Sequence, residues 1–223
     1  ETETETETET ETETETETSL YQDNRITTYH LNGIEFSDPD LIDCLMAQNI
    51  THVDDVQQFS CSYIKDGSQL HHLPNLKQLN LKNANISKID FSLFANLQSL
   101  QLTSIITDNL DLSNNPQLVE LKMMQGTWAS RLTLPTTNQL QALEVNSDLD
   151  DLGGLDLSHY SNLQRLKLPI TMQQPLDITH HPLLTDLAVS QLMDSSQIEQ
   201  LPNLKSLTLY SAITEINLEH NLL

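Results

Sequence analysis

The side chains best suited to chemistry in this sequence are histidines that recur at a nearly constant spacing. His159 and His180 lie 21 residues apart, and His181 follows directly. His72 and His220 fall at the same position of an internal repeat described below. The Cα atoms of His159 and His180, on adjacent repeats, would be roughly 5 Å apart, which makes a surface zinc site geometrically possible. No third fixed ligand or supporting outer shell can be named, so we expect ordinary turn residues here and no metal.

Other catalytic arrangements are poorly represented. The sequence contains neither a G-x-S-x-G nucleophile motif nor an HExxH zinc motif. Glycine occurs only five times, and the adjacent pair Gly153-Gly154 lacks the strand–turn–helix setting of a phosphate-binding loop. We therefore expect no catalytic residues and no cofactor, and predict that the protein is not an enzyme.

The charge of the chain excludes some partners. The formal net charge is −22, and removing the nine glutamates of the Glu-Thr run at 1–18 still leaves −13. Nucleic acid and anionic membrane surfaces both require a basic face, so neither is an expected partner. No apolar run reaches 18 residues, which predicts no transmembrane segment. The chain begins without an initiator Met or signal peptide, so we expect a mature or trimmed form and leave room for a lipid anchor upstream.

An internal repeat of the form LxxLxL organises most of the chain. Its copies open at Val56, Leu76, Leu97, Leu118, Leu140, Leu163, Leu184 and Leu204. The intervals between openings are 20 to 23 residues. Each LxL predicts a short strand with two inward leucines, and no copy can bury its leucines alone. The eight copies are therefore expected to stack into a solenoid.

This pattern resembles the bacterial leucine-rich repeats, in the short type of about 21 residues. The resemblance implies a leucine-rich repeat solenoid with parallel β-strands on the concave face, short strands and turns on the convex face, and a small N-terminal helical cap. Convex strands are expected at ISKIDF (86–91), LGGLDL (152–157) and ITEINL (213–218), with looser forms at 109–116 and 175–182. The family's Asn after each concave strand is absent, so we expect irregular turns there.

The segment before the repeats has the features of a cap. Ser37 or Asp38 can begin a helix with Pro39 in its first turn. The following apolar face comprises Leu41, Ile42, Cys44, Leu45 and Met46. The sequences FSDPDL and HLPNLKQLNLKNANIS are similar to the cap and first repeats of internalin-like extracellular bacterial proteins. That resemblance implies secretion or surface display, and binding rather than catalysis.

The two cysteines are consistent with this arrangement. Cys44 lies on the predicted cap helix, and Cys61 is the last apolar position of the first repeat. If the cap packs on that repeat, a disulfide can join them in an oxidising compartment. Two buried free thiols are the alternative.

The concave face is the expected recognition surface, because its strand side chains are closely spaced and rigid. Lys82, Lys122, Arg165 and Lys167, four of only ten basic residues, are predicted to point outward from it. Met124, Trp128 and Tyr210 add side-chain types that are enriched in binding cores. The full predicted set is Lys82, Gln101, Lys122, Met124, Trp128, Glu144, Arg165, Lys167 and Tyr210.

The sequence thus predicts a Glu-Thr tether at 1–18, a capping region at 19–55 and a solenoid at 56–223. The tether is expected to be extended and held by a neighbouring molecule's strand edge. INLEHNLL at the end matches LDLSNNPQ, so a further repeat or a neighbouring molecule is expected to cover the last coil. The predicted function is non-enzymatic binding of a host or bacterial surface protein or glycan, by a secreted, surface-displayed or periplasmic protein. The alternatives are a structural spacer in a larger surface protein and a secreted effector.

Overall fold

The computed structural model describes residues 21–22, 25–146, 155–168, 176–190 and 195–210. Its strands are β1 (Tyr21–Gln22), β2 (Arg25–Ile26), β3 (Tyr29–Leu31), β4 (Ile34–Phe36), β5 (Gln58–Ser62), β6 (Gln78–Lys82), β7 (Ser99–Thr103), β8 (Ile106–Asp111), β9 (Glu120–Met124), β10 (Trp128–Thr133), β11 (Ala142–Val145), β12 (Arg165–Leu168), β13 (Asp186–Val189) and β14 (Ser206–Leu209). The α-helix is α1 (Pro39–Ala47), and 3₁₀ helices span Val53–Asp55, Gly67–His72, Phe91–Leu93 and Ser195–Gln200.

One strand from each repeat joins a single parallel sheet, in the order β5-β6-β7-β9-β11-β12-β13-β14. The repeat register is kept across the sheet, so that Leu79, Leu100, Leu121 and Leu143 pair in sequence. The predicted solenoid with parallel strands on its concave face is confirmed.

The core is the leucine column that the repeat predicts. The opening residues from Leu76 to Leu184 are completely buried, as are most leucines of the strands. Burying one leucine stabilises a fold by about 1.5–3 kcal/mol, and each side chain here packs between two coils. The regular spacing of leucines therefore fixes the spacing of the strands.

The turns after the first concave strands are regular, so the expectation of irregular turns is wrong in this part of the solenoid. Tyr63, Asn83 and Ser104 each follow a strand with a positive φ of 66°, 49° and 54°. Each donates its backbone N–H to a carbonyl of the next coil, at 2.9, 3.0 and 3.2 Å. One coil further on, the buried Thr127 hydroxyl donates to Leu102 O and accepts from Ile105 N. Backbone conformation and one hydroxyl replace the missing asparagines.

The other side of the coils contains both strands and 3₁₀ helices. β8 and β10 pair in parallel in adjacent coils. The convex strand predicted at 86–91 is wrong, because these residues turn at Ser87-Lys88 and lead into the 3₁₀ helix Phe91–Leu93. The Asp-x-Ser/Thr sequence favours a tight turn, because the carboxylate accepts the N–H two residues on. Asp111 and Asp177 accept in this way from Ser113 and Thr179, which lowers both carboxyl pKa values.

A column of buried polar side chains, each three residues before an opening leucine, binds backbone carbonyls of the preceding coil. Asn115 donates to Phe91 O and Phe94 O, at 2.8 and 2.9 Å. Two coils later the Tyr160 hydroxyl donates to Pro135 O. His181 Nδ1 then donates to Tyr160 O at 3.1 Å. These side chains satisfy carbonyls that the coil stacking would otherwise bury without a partner.

The cap helix begins as predicted, and Asp38 is its N-cap residue. This buried carboxylate accepts four backbone hydrogen bonds. Oδ1 accepts from Asp40 N and Leu41 N in the first turn of α1. Oδ2 accepts from Lys65 N and Asp66 N in the loop after β5, both at 2.7 Å. One side chain therefore begins the helix and holds it on the first coil.

Further contacts hold α1 against the edge of the sheet. The predicted disulfide between Cys44 and Cys61 is present, with the two Cα atoms 5.5 Å apart. The Gln48 amide donates to Ser60 O and accepts from Ser60 N, so it occupies the outer edge of β5. The β3–β4 hairpin turns at Asn32-Gly33, both with positive φ, as a two-residue hairpin loop requires.

Several predictions lie outside the described residues: the Glu-Thr run at 1–18, the first half of the convex strand at 152–157, the convex strand at 213–218, His220 and the match at the end of the chain. Residues 155–157, which are described, do not form a strand. The domain boundaries stay predictions. Within the described part of the chain, no helix has the length and apolarity needed to cross a bilayer.

Candidate functional site

The outward side chains of the eight-stranded sheet form two neighbouring regions. Asn80, Gln101, Lys122, Glu144 and Lys167 lie side by side in the middle column, each half-buried between its neighbours. The placement of this column agrees with the sequence prediction. Lys122, Glu144 and Lys167 take part in ion pairs, whereas Asn80 and Gln101 do not within the described residues. The column therefore falls into two regions, with the boundary between β7 and β9.

The first region is a network of ion pairs on β9, β11 and β12, which we call the ionic cluster: Glu120, Lys122, Glu144, Arg165 and Lys167. Glu144 Oε1 lies 3.4 Å from Arg165 Nη1, and its Oε2 lies 3.4 Å from Lys167 Nζ. Glu120 Oε1 lies 2.7 Å from Lys122 Nζ and 3.8 Å from Arg165 Nη1. Three cations and two carboxylates give the cluster one net positive charge on a strongly acidic protein.

Glu120 was not among the residues predicted from the sequence. It occupies the first outward position of β9, in the same column as Arg165, and two residues before Lys122. Partial burial acts to raise the pKa of Glu120, but hydrogen bonds from Lys122 and Ser99 and attraction by the cations outweigh it. The net pKa is below the ordinary value, so Glu120 is ionised at neutral pH and holds Lys122 in place. Its position in the same repeat column as Arg165, two strands away, was the signal that could have identified it.

The second region is a groove between α1 and the first three strands of the sheet, which we call the cap groove. Its volume is about 620 Å³. The residues that line it are Asp40, Asp43, Cys44, Ala47, Ser60, Cys61, Ser62, Tyr63, Asn80, Lys82, Gln101 and Thr103. Two predicted site residues, Lys82 and Gln101, therefore belong here and not with the ionic cluster.

Trp128 does not belong to the concave sheet, so its predicted placement there is wrong. The chain turns at Gly126, whose φ is +76°, and Trp128 begins β10 opposite Ile106 in the separate two-stranded sheet. Met124 lies where it was predicted, at the outward end of β9 beside Thr103. Tyr210 follows β14 and is 59% exposed. Neither side chain contacts the ionic cluster through an ion pair or hydrogen bond in the described structure.

The histidines do not assemble a metal site in the described part of the chain, where no three metal-ligating side chains converge. His159 lies 3.8 Å from Asp156 at an exposed turn. His181 is completely buried, and burial lowers its pKa, so the ring is neutral at neutral pH. Its Nδ1 donates to Tyr160 O in the buried polar column described above.

Comparison with solved structures places this architecture among leucine-rich-repeat proteins. The functional domain of InlJ from Listeria monocytogenes, whose structure is described as including a cysteine ladder, superposes with a TM-score of 0.54 at 15% identity. The match covers 82% of this chain and 53% of that domain, so the chain spans about half the length of its neighbour. At this identity the likeness shows the fold alone: a leucine-rich-repeat solenoid.

Two further structures are more distant. An internalin, InlF, from Listeria monocytogenes has a TM-score of 0.48 at 16% identity, covering 82% of this chain and 73% of that one. A leucine-rich-repeat protein from Leptospira interrogans has a TM-score of 0.46 at 17% identity, covering 73% and 57%. No protein-family model and no curated protein matches the sequence.

Proposed function

We propose that this chain is a non-enzymatic binding module of a secreted or surface-displayed bacterial protein, and that it recognises a protein partner through the ionic cluster. The observation that carries the proposal is the charge contrast. Three of the ten basic residues meet within one patch of a chain whose net charge is −22. The local positive potential of this patch would attract an acidic surface on a partner protein.

The geometry supports recognition because the charged side chains are already ordered. Neighbouring strands hold the cluster residues in register, and the two carboxylates fix the positions of the cations. Prior ordering lowers the entropy cost of forming an interface. The cluster also lies on an open strand surface, which suits a protein surface better than a reaction that must exclude water.

The extracellular setting is supported by the disulfide. Both cysteines are bridged between the cap and the first coil. Structural disulfides persist in oxidising compartments, which include the bacterial periplasm and the cell surface. The similarity of the cap sequence to internalin-like proteins agrees with this setting.

Affinity capture with charge-reversed variants tests the proposal. The chain would be used to capture proteins from host-surface and bacterial-surface extracts, and binding of each captured protein would then be measured individually. Lys122→Glu with Lys167→Glu should weaken binding of a true partner by tenfold or more, on the order expected for lost electrostatic complementarity. Lys65→Glu with Lys205→Glu, at two exposed lysines outside the cluster, makes the same charge change and should leave binding unchanged. Equal binding by both variants would exclude the cluster, and failure to capture any protein would favour the spacer.

A further inference from the structure

We propose that the cap groove is a second binding site, and that its ligand is a short neutral saccharide. The site differs from the ionic cluster in its residues, so either proposal can fail without the other. The argument rests on the shape of the groove, on its polar groups that have no partner among the described residues, and on the absence of large aliphatic side chains from its lining.

The cap groove has the size of a small-molecule site. Its volume of about 620 Å³ falls within the range of roughly 300–1,000 Å³ that ligand pockets occupy. One wall is α1, fixed to the sheet by the disulfide and by Asp38. The other wall is the outward surface of β5, β6 and β7. Both walls are therefore rigid before a ligand arrives.

The polar groups of the groove are available to a ligand. Asn80 and Gln101 are register partners on β6 and β7, so two planar amides lie on adjacent strands about 4.8 Å apart. Neither amide, nor the Lys82 ammonium, has a side-chain hydrogen bond or ion pair with a described residue. The ionic cluster is the opposite case, since its charged groups are paired with one another. Adjacent amides with free donors and acceptors match the alternating hydroxyls of a sugar.

The charges of the groove favour a neutral ligand. Asp40 and Asp43 on α1 are both bonded to Arg25, at 2.8 and 2.7 Å. The positive charges of Arg25 and Lys82 therefore balance the negative charges of Asp40 and Asp43. Each carboxylate uses one oxygen for Arg25, which leaves Oδ2 of Asp40 and Oδ1 of Asp43 as acceptors for hydroxyl donors.

An exposed aromatic ring completes the site. Tyr63 lies at the groove with 60% of its surface exposed and a φ of +66°. A bulky residue is disfavoured in this conformation, and the equivalent positions of the next two coils hold Asn83 and Ser104, which suit it better. The ring presents a flat face on which the C–H face of a pyranose can stack.

A peptide fits the groove less well. Peptide sites depend on several large apolar or aromatic anchors, whereas Tyr63 is the one such side chain among the described residues that line the groove, where no Leu, Ile, Val, Phe, Met or Trp occurs. Strand addition at Ser60 is also closed, because the Gln48 amide already holds both its backbone N–H and its carbonyl.

The experiment is a titration of the full chain, followed by ¹H–¹⁵N NMR. The probes are glucose, galactose, mannose, N-acetylglucosamine and N-acetylgalactosamine, each as monosaccharide and disaccharide, with sialic acid as an anionic comparison. At least one neutral probe should shift the signals of Ser62, Asn80, Lys82 and Gln101, with a Kd on the order of 1 mM for a ligand of this size. No shift with any neutral probe, or shifts outside the groove, would overturn the proposal. Tighter binding of sialic acid than of any neutral probe would contradict the proposal that the ligand is neutral.

Three variants separate binding from folding. Gln101→Ala should weaken the affinity about tenfold, the effect of one or two lost hydrogen bonds. Gln78→Ala removes the same side chain from the same sheet outside the groove, and should leave the affinity unchanged. Tyr63→Asn should raise the thermal midpoint, since Asn tolerates the left-handed conformation, while weakening the affinity. A purely structural role for Tyr63 would instead move stability and leave saccharide binding as it was.

Discussion

Two regions of the concave face share one strand register but differ in how their outward polar side chains are paired. On β9, β11 and β12, every charged member of the ionic cluster has a partner of opposite charge within 4 Å. In the cap groove, the Asn80 and Gln101 amides have no such partner among the described residues. The same position in different repeats can therefore hold a charge paired with its neighbours or an amide without a partner among the described residues.

The difference shows what each region requires of the fold. The ionic cluster needs only neighbouring strands, because all its members lie on the sheet. The cap groove needs α1 as a second wall, so it depends on contacts that hold the cap on the first coil. Variants can test these dependencies separately.

Loss of the Asp38 carboxylate should have the largest effect. Asp38→Ala leaves four backbone N–H groups without their acceptor, at about 1 kcal/mol each, so the free energy of unfolding should fall by about 4 kcal/mol. Chemical denaturation measures this change. Asp90→Ala is the matched control, since it removes an exposed capping carboxylate and should cost about 1 kcal/mol. Equal losses in the two variants would show that Asp38 does not hold the cap.

Reduction of the disulfide should have the next largest effect. Its cysteines are 17 residues apart, and closing a loop of that size stabilises a fold by about 3 kcal/mol in the chain-entropy model. Adding reductant should lower the denaturation midpoint of the wild type and have no effect on a Cys44→Ser, Cys61→Ser double variant. The NMR signals of Asn80 and Gln101 should shift on reduction, whereas those of Glu144 should not. An unchanged midpoint would mean that hydrogen bonds alone fix α1.

Changing one outward side chain in each region gives a direct comparison. Glu144→Gln removes a half-buried carboxylate that pairs with Arg165 and Lys167, and should cost about 1 kcal/mol of unfolding free energy. Gln101→Ala breaks no described side-chain bond and should stay within about 0.5 kcal/mol of the wild type. Added salt should reduce the loss of unfolding free energy in Glu144→Gln and leave the small change in Gln101→Ala as it was. A larger loss for Gln101→Ala would show that the groove amide is structural.

The smallest expected effect is the acid titration of Glu120. Its folded pKa is depressed, so its contribution to stability is present above the unfolded pKa near 4.3 and is lost as the pH falls through the lower folded pKa. Lys122→Met should raise the pKa of Glu120, because the main hydrogen bond to the carboxylate is removed. Lys82→Met, in the cap groove, should leave it unchanged. Carboxyl ¹³C NMR titration would detect the shift, and an unaltered pKa in Lys122→Met would contradict the pairing.

Much of the fold could be predicted from local sequence. The leucine spacing predicted the strands because each inward leucine must be buried against the neighbouring coils. Asp38-Pro39 predicted the start of α1, and the positions of Cys44 and Cys61 predicted their bridge once the cap was placed on the first repeat. The turns after the first three concave strands were less predictable, because the positive-φ conformation of Tyr63, Asn83 and Ser104, and not an asparagine side chain, brings each backbone N–H to a carbonyl of the next coil.

The candidate sites were predicted less completely. Glu120 was missed because its importance comes from Arg165, which lies 45 residues later in the sequence and two strands away in the sheet. Trp128 was misplaced because the turn at Gly126 carries the chain off the concave sheet. The cap groove was not predicted, since it exists only where α1 lies beside β5, β6 and β7.

The sequence by itself determined which residues are buried and how often a strand recurs, because burial of leucine at a fixed spacing is a local, additive preference. The tertiary structure decided which outward side chains pair and which stay free. That choice depends on distances of a few ångströms between residues of different coils, and only the lateral register of the sheet and the docking of the cap set those distances.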